Sequence, residues 1–260
     1  MFGAIAGDII GSPYEYLGFK ERDFPLFSER SCFTDDTVLT VAVADAVLHN
    51  LDFAQTLKEY GRRYPDAGYG GSFYKWMLSD SLQPYKSGCN GSAMRTTSIG
   101  FLLDDESTVL KTARKCSAVT HNHSESIKGS QAVSIGIFLA RQGCSKDEIR
   151  QEIGKWFGYN LNFQLKEIQP GYRFDITCQG TVPPAFIAFL DSEDYESAVR
   201  NAVSLGGDAD TLACIAGALA EAYYKEIPAE IVSESRRLLP QDFLDIIDEF
   251  YQVMEKKNSR

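Results

Sequence analysis

Two stretches of this 260-residue chain, Val38 to Leu48 and Leu212 to Tyr224, are apolar nearly all the way round a helix. Each is interrupted by one charge, Asp45 in the first and Glu221 in the second. A surface helix carries an apolar stripe and a polar face, so a helix without a polar face must be surrounded by other elements. Two such helices predict an all-α core, with the pair lying side by side at the centre. The rest of the chain has helical rather than alternating periodicity, punctuated by Gly and Pro at intervals typical of helix-to-helix connections. The pattern predicts helices over about Gly3–Tyr14, Asp36–His49, Phe53–Arg63, Gly91–Leu103, Ser107–Ser117, Ser124–Gln142 and Lys146–Phe157. Later helices are expected over Val182–Leu190, Tyr195–Ser204, Asp210–Lys225, Ala229–Leu238 and Phe243–Glu255. Between Tyr159 and Gly180 the pattern is mixed and fits a short extended segment or an irregular loop. No Pro-, Ser- or charge-rich linker divides the chain, so residues 1–260 are expected to form one domain.

Composition removes several functions. Lys plus Arg number 26 against 36 Asp plus Glu, a formal charge of −10, so no general field attracts polyanions and sequence-independent nucleic-acid binding is not expected. The longest strongly apolar runs, such as Leu212–Ala220, fall far short of the ~20 residues of a membrane span. The N-terminal apolar stretch has no basic segment before it and contains Asp8, which makes a poor signal peptide. A cytoplasmic protein with no membrane partner is expected. The six cysteines are scattered without a C-x-x-C pair and read as reduced thiols. The three histidines, His49, His121 and His123, form no zinc pattern, so the ligands of any metal should be oxygen.

Both apolar helices open on nearly the same acidic text, Thr34-Asp35-Asp36-Thr37 and Gly207-Asp208-Ala209-Asp210-Thr211. Taken singly, each is explained by an Asp or Thr capping the free N–H groups of a helix start. Capping needs one side chain, however, and each site offers two carboxylates and a hydroxyl. Four carboxylates meeting at buried helix ends repel one another unless a cation or protons intervene, and an oxygen-only set of this size suits two Mg²⁺ or Mn²⁺ ions. Gly3, Gly7 and Gly11 recur every four residues and give the first helix a face where another backbone can approach. Gly88-Cys89-Asn90-Gly91-Ser92-Ala93-Met94-Arg95 sets small and turn-forming residues before a helix, where exposed N–H groups suit a phosphate, although a turn and cap explain it equally simply. Thr120-His121-Asn122-His123 opens another helix and fits capping or hydrogen-bonding histidines better than ligands. Glu15, after the first helix, reads from the residues alone as a solvated end charge or a general base.

With Gly3-Ala-Ile-Ala-Gly-Asp-Ile-Ile-Gly11, Thr34-Asp-Asp-Thr37, Asn90-Gly-Ser-Ala-Met-Arg95, Thr120-His-Asn-His123 and Gly206-Gly-Asp-Ala-Asp-Thr211 in this order, the chain resembles the ADP-ribosylglycohydrolase family. That family includes the dinitrogenase-reductase-activating glycohydrolase and the ADP-ribosyl-acceptor hydrolases, and the match runs from Phe2 to about Tyr224. The resemblance implies a single-domain orthogonal helical bundle. It also implies a hydrolase that uses two Mg²⁺ or Mn²⁺ ions to cleave the glycosidic bond between ADP-ribose and an acceptor on a protein, a nucleic acid or a small molecule. Thr34, Asp35, Asp36, Asp208, Asp210 and Thr211 look like the metal ligands. Ser87, Gly88, Cys89, Asn90, Gly91 and His121 look like contacts to the ADP-ribose phosphates and sugar. Asp36 or Glu15 is the expected general base.

The chain departs from the family in two places. Gly88 stands where many members carry an aromatic residue, and Ser124-Glu125-Ser126 replaces a common Pro-Glu-Gly. Loss of the aromatic removes a stacking face for adenine, and Tyr85 is the nearest aromatic in sequence that offers another. Two further functions stay open on this reading. One is hydrolysis of a different phosphorylated nucleoside or sugar, and the other is ADP-ribose binding without turnover.

Overall fold

The structure is a computed structural model that describes residues 1–258. In order, α1 (Phe2–Gly11) runs into a 3₁₀ turn (Ser12–Tyr14), followed by α2 (Asp35–Leu48), α3 (Phe53–Arg63), α4 (Gly71–Leu78), α5 (Gly91–Met94), α6 (Thr97–Leu102) and α7 (Glu106–Ala118). The second half contains α8 (Ser124–Arg141), α9 (Lys146–Phe157), α10 (Leu165–Ile168), α11 (Cys178–Leu190), α12 (Tyr195–Val203), α13 (Ala209–Tyr224), α14 (Ala229–Arg237) and α15 (Gln241–Asn258). Among the described residues no β-strand forms, and one isolated antiparallel bridge joins Cys89 to Thr177. The fold is therefore the all-α bundle expected. No helix of the described residues is long and apolar enough to cross a membrane, and all six cysteines are free.

The element at the centre is α13, packed along α1 and flanked by α8, α11 and α12. The expectation that α2 and α13 lie side by side is not met, because α1 takes the place beside α13. The reason is the glycine repeat. A Cβ built on Gly3 would stand 2.5 Å from the Gly217 carbonyl oxygen, one on Gly7 2.1 Å from that of Ala213, and one on Gly11 2.5 Å from that of Ala209. Only side-chain-free positions permit so close an approach, and Gly217 answers from the other side, its own Cβ position lying 2.3 Å from the Gly3 oxygen. Both charges inside the apolar helices are satisfied. Glu221 accepts from the Met1 ammonium and the Gly3 N–H, each at 2.8 Å, while Asp45 accepts from the Tyr60 hydroxyl at 2.8 Å and pairs with His49 at 2.7 Å.

Three departures from the expected helices shape the site. The single helix expected over Gly91–Leu103 is two, α5 and α6, broken at Arg95 and Thr96. The Thr96 hydroxyl donates to Ala93 O at 3.0 Å, the local side-chain competition that disfavours threonine inside a helix. The helix expected from Val182 starts at Cys178, where the Thr177 hydroxyl accepts from Gly180 N. Pro184 has no N–H for the Gly180 carbonyl, and the Tyr172 hydroxyl takes that oxygen instead at 2.8 Å. Helix α4 was not foreseen, although its buried Phe73, Trp76 and Met77 carry helical spacing.

Gly7→Ala is expected to cost at least ~1–3 kcal/mol, because the added methyl meets backbone rather than a movable side chain. Urea unfolding should show a lower midpoint at an unchanged slope, and an unchanged midpoint would mean that α1 and α13 can separate without loss.

Candidate active site

The first turns of α2 and α13 come together beneath a cleft of about 380 Å³. Thr34, Asp35, Asp36, Asp208, Asp210, Thr211 and Glu15 all line it, as do Ser87, Cys89, Asn90, Gly91 and His121. Residues far apart in the chain thus share one cavity of the size that takes a small ligand.

What caps the two helices decides how the acids are to be read. At α2 the Thr34 hydroxyl accepts from Asp36 N at 3.2 Å. Asp35 N donates to Ala67 O at 2.7 Å, and Asp8, reaching across from α1, takes the N–H groups on either side. Its carboxylate accepts from Thr34 N at 2.9 Å, Thr34 Oγ1 at 2.7 Å, Thr37 N at 3.1 Å and the Thr37 hydroxyl. At α13, Asp208 occupies the N-cap position but makes no cap hydrogen bond, and Asn90 Nδ2 holds its carboxylate at 2.6 Å. Asp210 Oδ1 accepts from Thr211 N at 2.9 Å in the first turn of α13, so the acids left without a capping bond are Asp35, Asp36 and Asp208. Thr211 Oγ1 donates to Asp36 Oδ2 at 3.2 Å, while Asp36 Oδ1, buried, has no partner among the described residues.

Asp8 was missed as a site residue. A lone acid between Gly7 and Ile9 on an apolar helix was the available signal, since a buried charge needs several donors and the α2 start supplies four.

Two groups of three carboxylates could each hold a metal ion: Asp8, Asp36 and Asp210, and Glu15, Asp208 and Asp210. Within each group the ligand atoms lie within 4.8 Å of one another, and Asp210 belongs to both. Two full charges at that separation repel by roughly 3 kcal/mol at an effective dielectric of 20, whereas a helix N-terminus returns at most ~2 kcal/mol. Proton affinities reflect the imbalance. Burial first, then the neighbouring carboxylates, raises Asp36 and Asp210 well above the usual carboxylate range and Asp35 to about 8. Asp8 is raised to about 6 by burial, with its four donors pulling the other way. Asp208 and the half-buried Glu15 are raised too, again chiefly by burial.

The opposite wall comes from the segment whose pattern was mixed. Asn90 N donates to Ile176 O at 2.8 Å and Cys178 N to Gly88 O at 3.1 Å, which zips residues 88–90 to 176–178. Exposed Phe174 and Ile176 are thereby set on the rim, and Phe174 lies against Tyr16 with ring centroids 5.3 Å apart.

Gly88 does not line the cleft, and a Cβ there would point at the His123 ring, 3.6 Å from Nδ1. An aromatic at this position would start away from the cavity because the bridge turns its carbonyl toward Cys178. The Asn90 side chain is committed to Asp208 and Thr181, so it positions an acid rather than reaching out. His123 is the N-cap of α8, accepting from Glu125 N at 3.2 Å.

The sequence profile of the ADP-ribosylglycohydrolase family matches residues 1–260. The chain belongs to the ADP-ribosylglycohydrolase family. It is a hydrolase, similar to ADP-ribosylhydrolase ARH3 of Mus musculus, with 26% identity over 85% of this chain and 82% of the relative. ARH3 of Homo sapiens is also 26% identical, over 85% of this chain and 83% of the relative. An uncharacterized protein of Archaeoglobus fulgidus is 25% identical over 88% and 87%. The fold of the glycohydrolase matches a solved structure described as an ADP-ribosylglycohydrolase-related protein complex, with a TM-score of 0.73, 22% identity and coverage of 97% and 95%.

Asp8→Ala removes the acceptor for four buried donors and should destabilise this glycohydrolase by about 3 kcal/mol. Thermal unfolding checks this, and a loss below ~1 kcal/mol would show that the α2 start finds other partners.

Proposed function

We propose that residues 1–260 form one catalytic domain that hydrolyses the glycosidic bond between ADP-ribose and its acceptor, using two Mg²⁺ or Mn²⁺ ions. The acceptor belongs to a protein, a nucleic acid or a small molecule. The observation that carries this reading is Asp210 shared between two buried acidic groups beneath a ligand-sized cleft, with Asp36 Oδ1 left unpartnered. An all-oxygen donor set with surplus negative charge fits hard divalent cations.

One ion would be held by Asp36, Asp210 and Thr211, and the other by Asp208 and Asp210, with Glu15 beside them. Asp35 and Thr34 close the set from the α2 side. Thr34 Oγ1, which donates to Asp8 and accepts from Asp36 N, keeps one lone pair for this. Such ions, when bound, would supply Lewis acidity for cleavage of the glycosidic bond.

The chain's own residues do the rest. Ser87, Cys89, Gly91 and His121 orient the diphosphate and sugar from the far wall. Tyr16 and Phe174 on the rim exclude water and face the acceptor. Glu15 takes the proton of the attacking water as the water oxygen bonds to the anomeric carbon and the bond to the acceptor breaks. That proton then leaves on the acceptor. Asp36 is the weaker candidate for this step, because Thr211 already holds one oxygen and the group lies deeper.

Chelation is expected to abolish release of ADP-ribose from an ADP-ribosylated substrate panel, with Mg²⁺ or Mn²⁺ restoring it. Undiminished turnover in metal-free protein would sink the metal assignment, and turnover of other phosphorylated nucleosides alone would move the substrate. Asp210→Asn should lose bound metal by calorimetry, whereas retention of both ions would remove its bridging role. Glu15→Gln should slow turnover by about 10²-fold or more with the melting temperature within a few degrees. Near-normal rates would pass the proton to Asp36.

A further inference from the structure

We propose that Lys20 is a positioning residue for the acidic centre: its ammonium clasps the segment that carries Glu15 to the turn that carries Asp208, and so fixes the spacing of these two carboxylates. The role toward metal rests on the function proposed above; the clasp does not.

Glu15 follows the 3₁₀ turn after α1, and Asp208 precedes α13, so neither side chain is held by a helix of its own. Their ligand oxygens nevertheless lie within 4.8 Å of each other. Like charges at that distance push the two segments apart, and another contact has to hold them together. Further along the Glu15 segment, Lys20 Nζ donates to Gln169 O at 2.8 Å, to Tyr172 O at 2.9 Å and to Leu205 O. An ammonium carries three donors, and here all three go to backbone carbonyls. Gln169 returns the contact, its Nε2 donating to Lys20 O at 2.9 Å and to Ser204 O at 3.0 Å.

Each of these partners leads to the cleft. Leu205 opens the turn that ends at Asp208, and within that turn Gly206 has a φ of +65°. A Cβ on Gly206 would stand 2.5 Å from Phe19 O, so the backbone beside Lys20 lies directly on the turn. The ring of Tyr172 covers Gly207, whose Cβ position is 2.3 Å from Tyr172 Cε1, and the same loop carries Phe174 to the rim. Lys20 itself does not line the cleft, and it acts through these three segments. The clasp bears on one acidic group more than the other. Asp8, Asp36 and Asp210 are placed by α1, α2 and α13, whereas the group of Glu15, Asp208 and Asp210 takes two members from the clasped segments.

Mn²⁺ calorimetry on the full chain tests this with Lys20→Met, which keeps the aliphatic stem and removes the ammonium. One of two ions should bind about 10-fold more weakly and the other as in the wild type, the scale of loss when a supporting residue around a metal is removed. Unchanged affinities, whatever the melting temperature, or an equal loss at both ions would overturn the positioning role. Should Lys20→Met not fold, Gln169→Leu breaks the clasp from its other side and carries the same expectation. Amide hydrogen exchange in metal-free protein reads the clasp without any ion. Lys20→Met should speed exchange about 10-fold in residues 15–19 and 172–176, with residues 34–38 at the start of α2 unchanged. Equal rates in all three segments of wild type and variant would show that the ammonium holds nothing in place. If the wild type binds fewer than two Mn²⁺, the metal assignment falls, and the exchange comparison alone decides the clasp.

Discussion

The close approach of α1 to α13 is the contact on which the rest depends. Gly11 lies where any side chain would strike the backbone of Ala209 and Asp210, so the glycine face sets the height of the second acidic motif on α1. One turn earlier on the same helix, Asp8 receives the start of α2. A single short helix therefore brings both acidic motifs together, although α2 and α13 themselves touch little beyond the bond from Thr211 to Asp36.

That arrangement gathers negative charge to a degree a helical bundle does not need. Helix dipoles and hydrogen bonds offset part of the repulsion, and four donors on one carboxylate hold the Asp8 pKa to about 6 against its burial. Asp35, Asp36 and Asp210 lack such a complement and keep raised proton affinities as a result. Acids this poorly supplied with donors form the groups that could hold a metal ion. Across the cleft the logic is reversed, since the buried Arg95 guanidinium donates to Thr120 and Cys116 and has no carboxylate partner among the described residues.

The walls show how a loop gains function by being tied down. Residues 172–176 have no helix or strand of their own, yet Tyr172 completes the proline-interrupted start of α11 and Ile176 accepts from Asn90. The same Asn90 holds Asp208, so the wall and the acidic floor are one hydrogen-bonded unit.

Much of this was legible from the chain alone. Helical periodicity placed most elements to within a few residues, because the 3.6-residue repeat is a local property. Repeated glycines announced a tight helix contact, and two acidic motifs with more carboxylates than caps require marked the residues that share the cleft. What no local pattern contained was which partner filled each contact. The break at Arg95, the cap supplied by Asp8 from another helix, the direction of the Gly88 Cβ toward His123 and the docking of Phe174 on the rim are all long-range choices. Buried donors and acceptors must be matched across the whole fold, so one residue's role depends on groups scores of positions away. Local pattern carries most of the helices, the glycine face and the acid inventory, whereas which acids accept from helix N–H groups and which do not is settled by contacts between helices, because those donors lie on other elements.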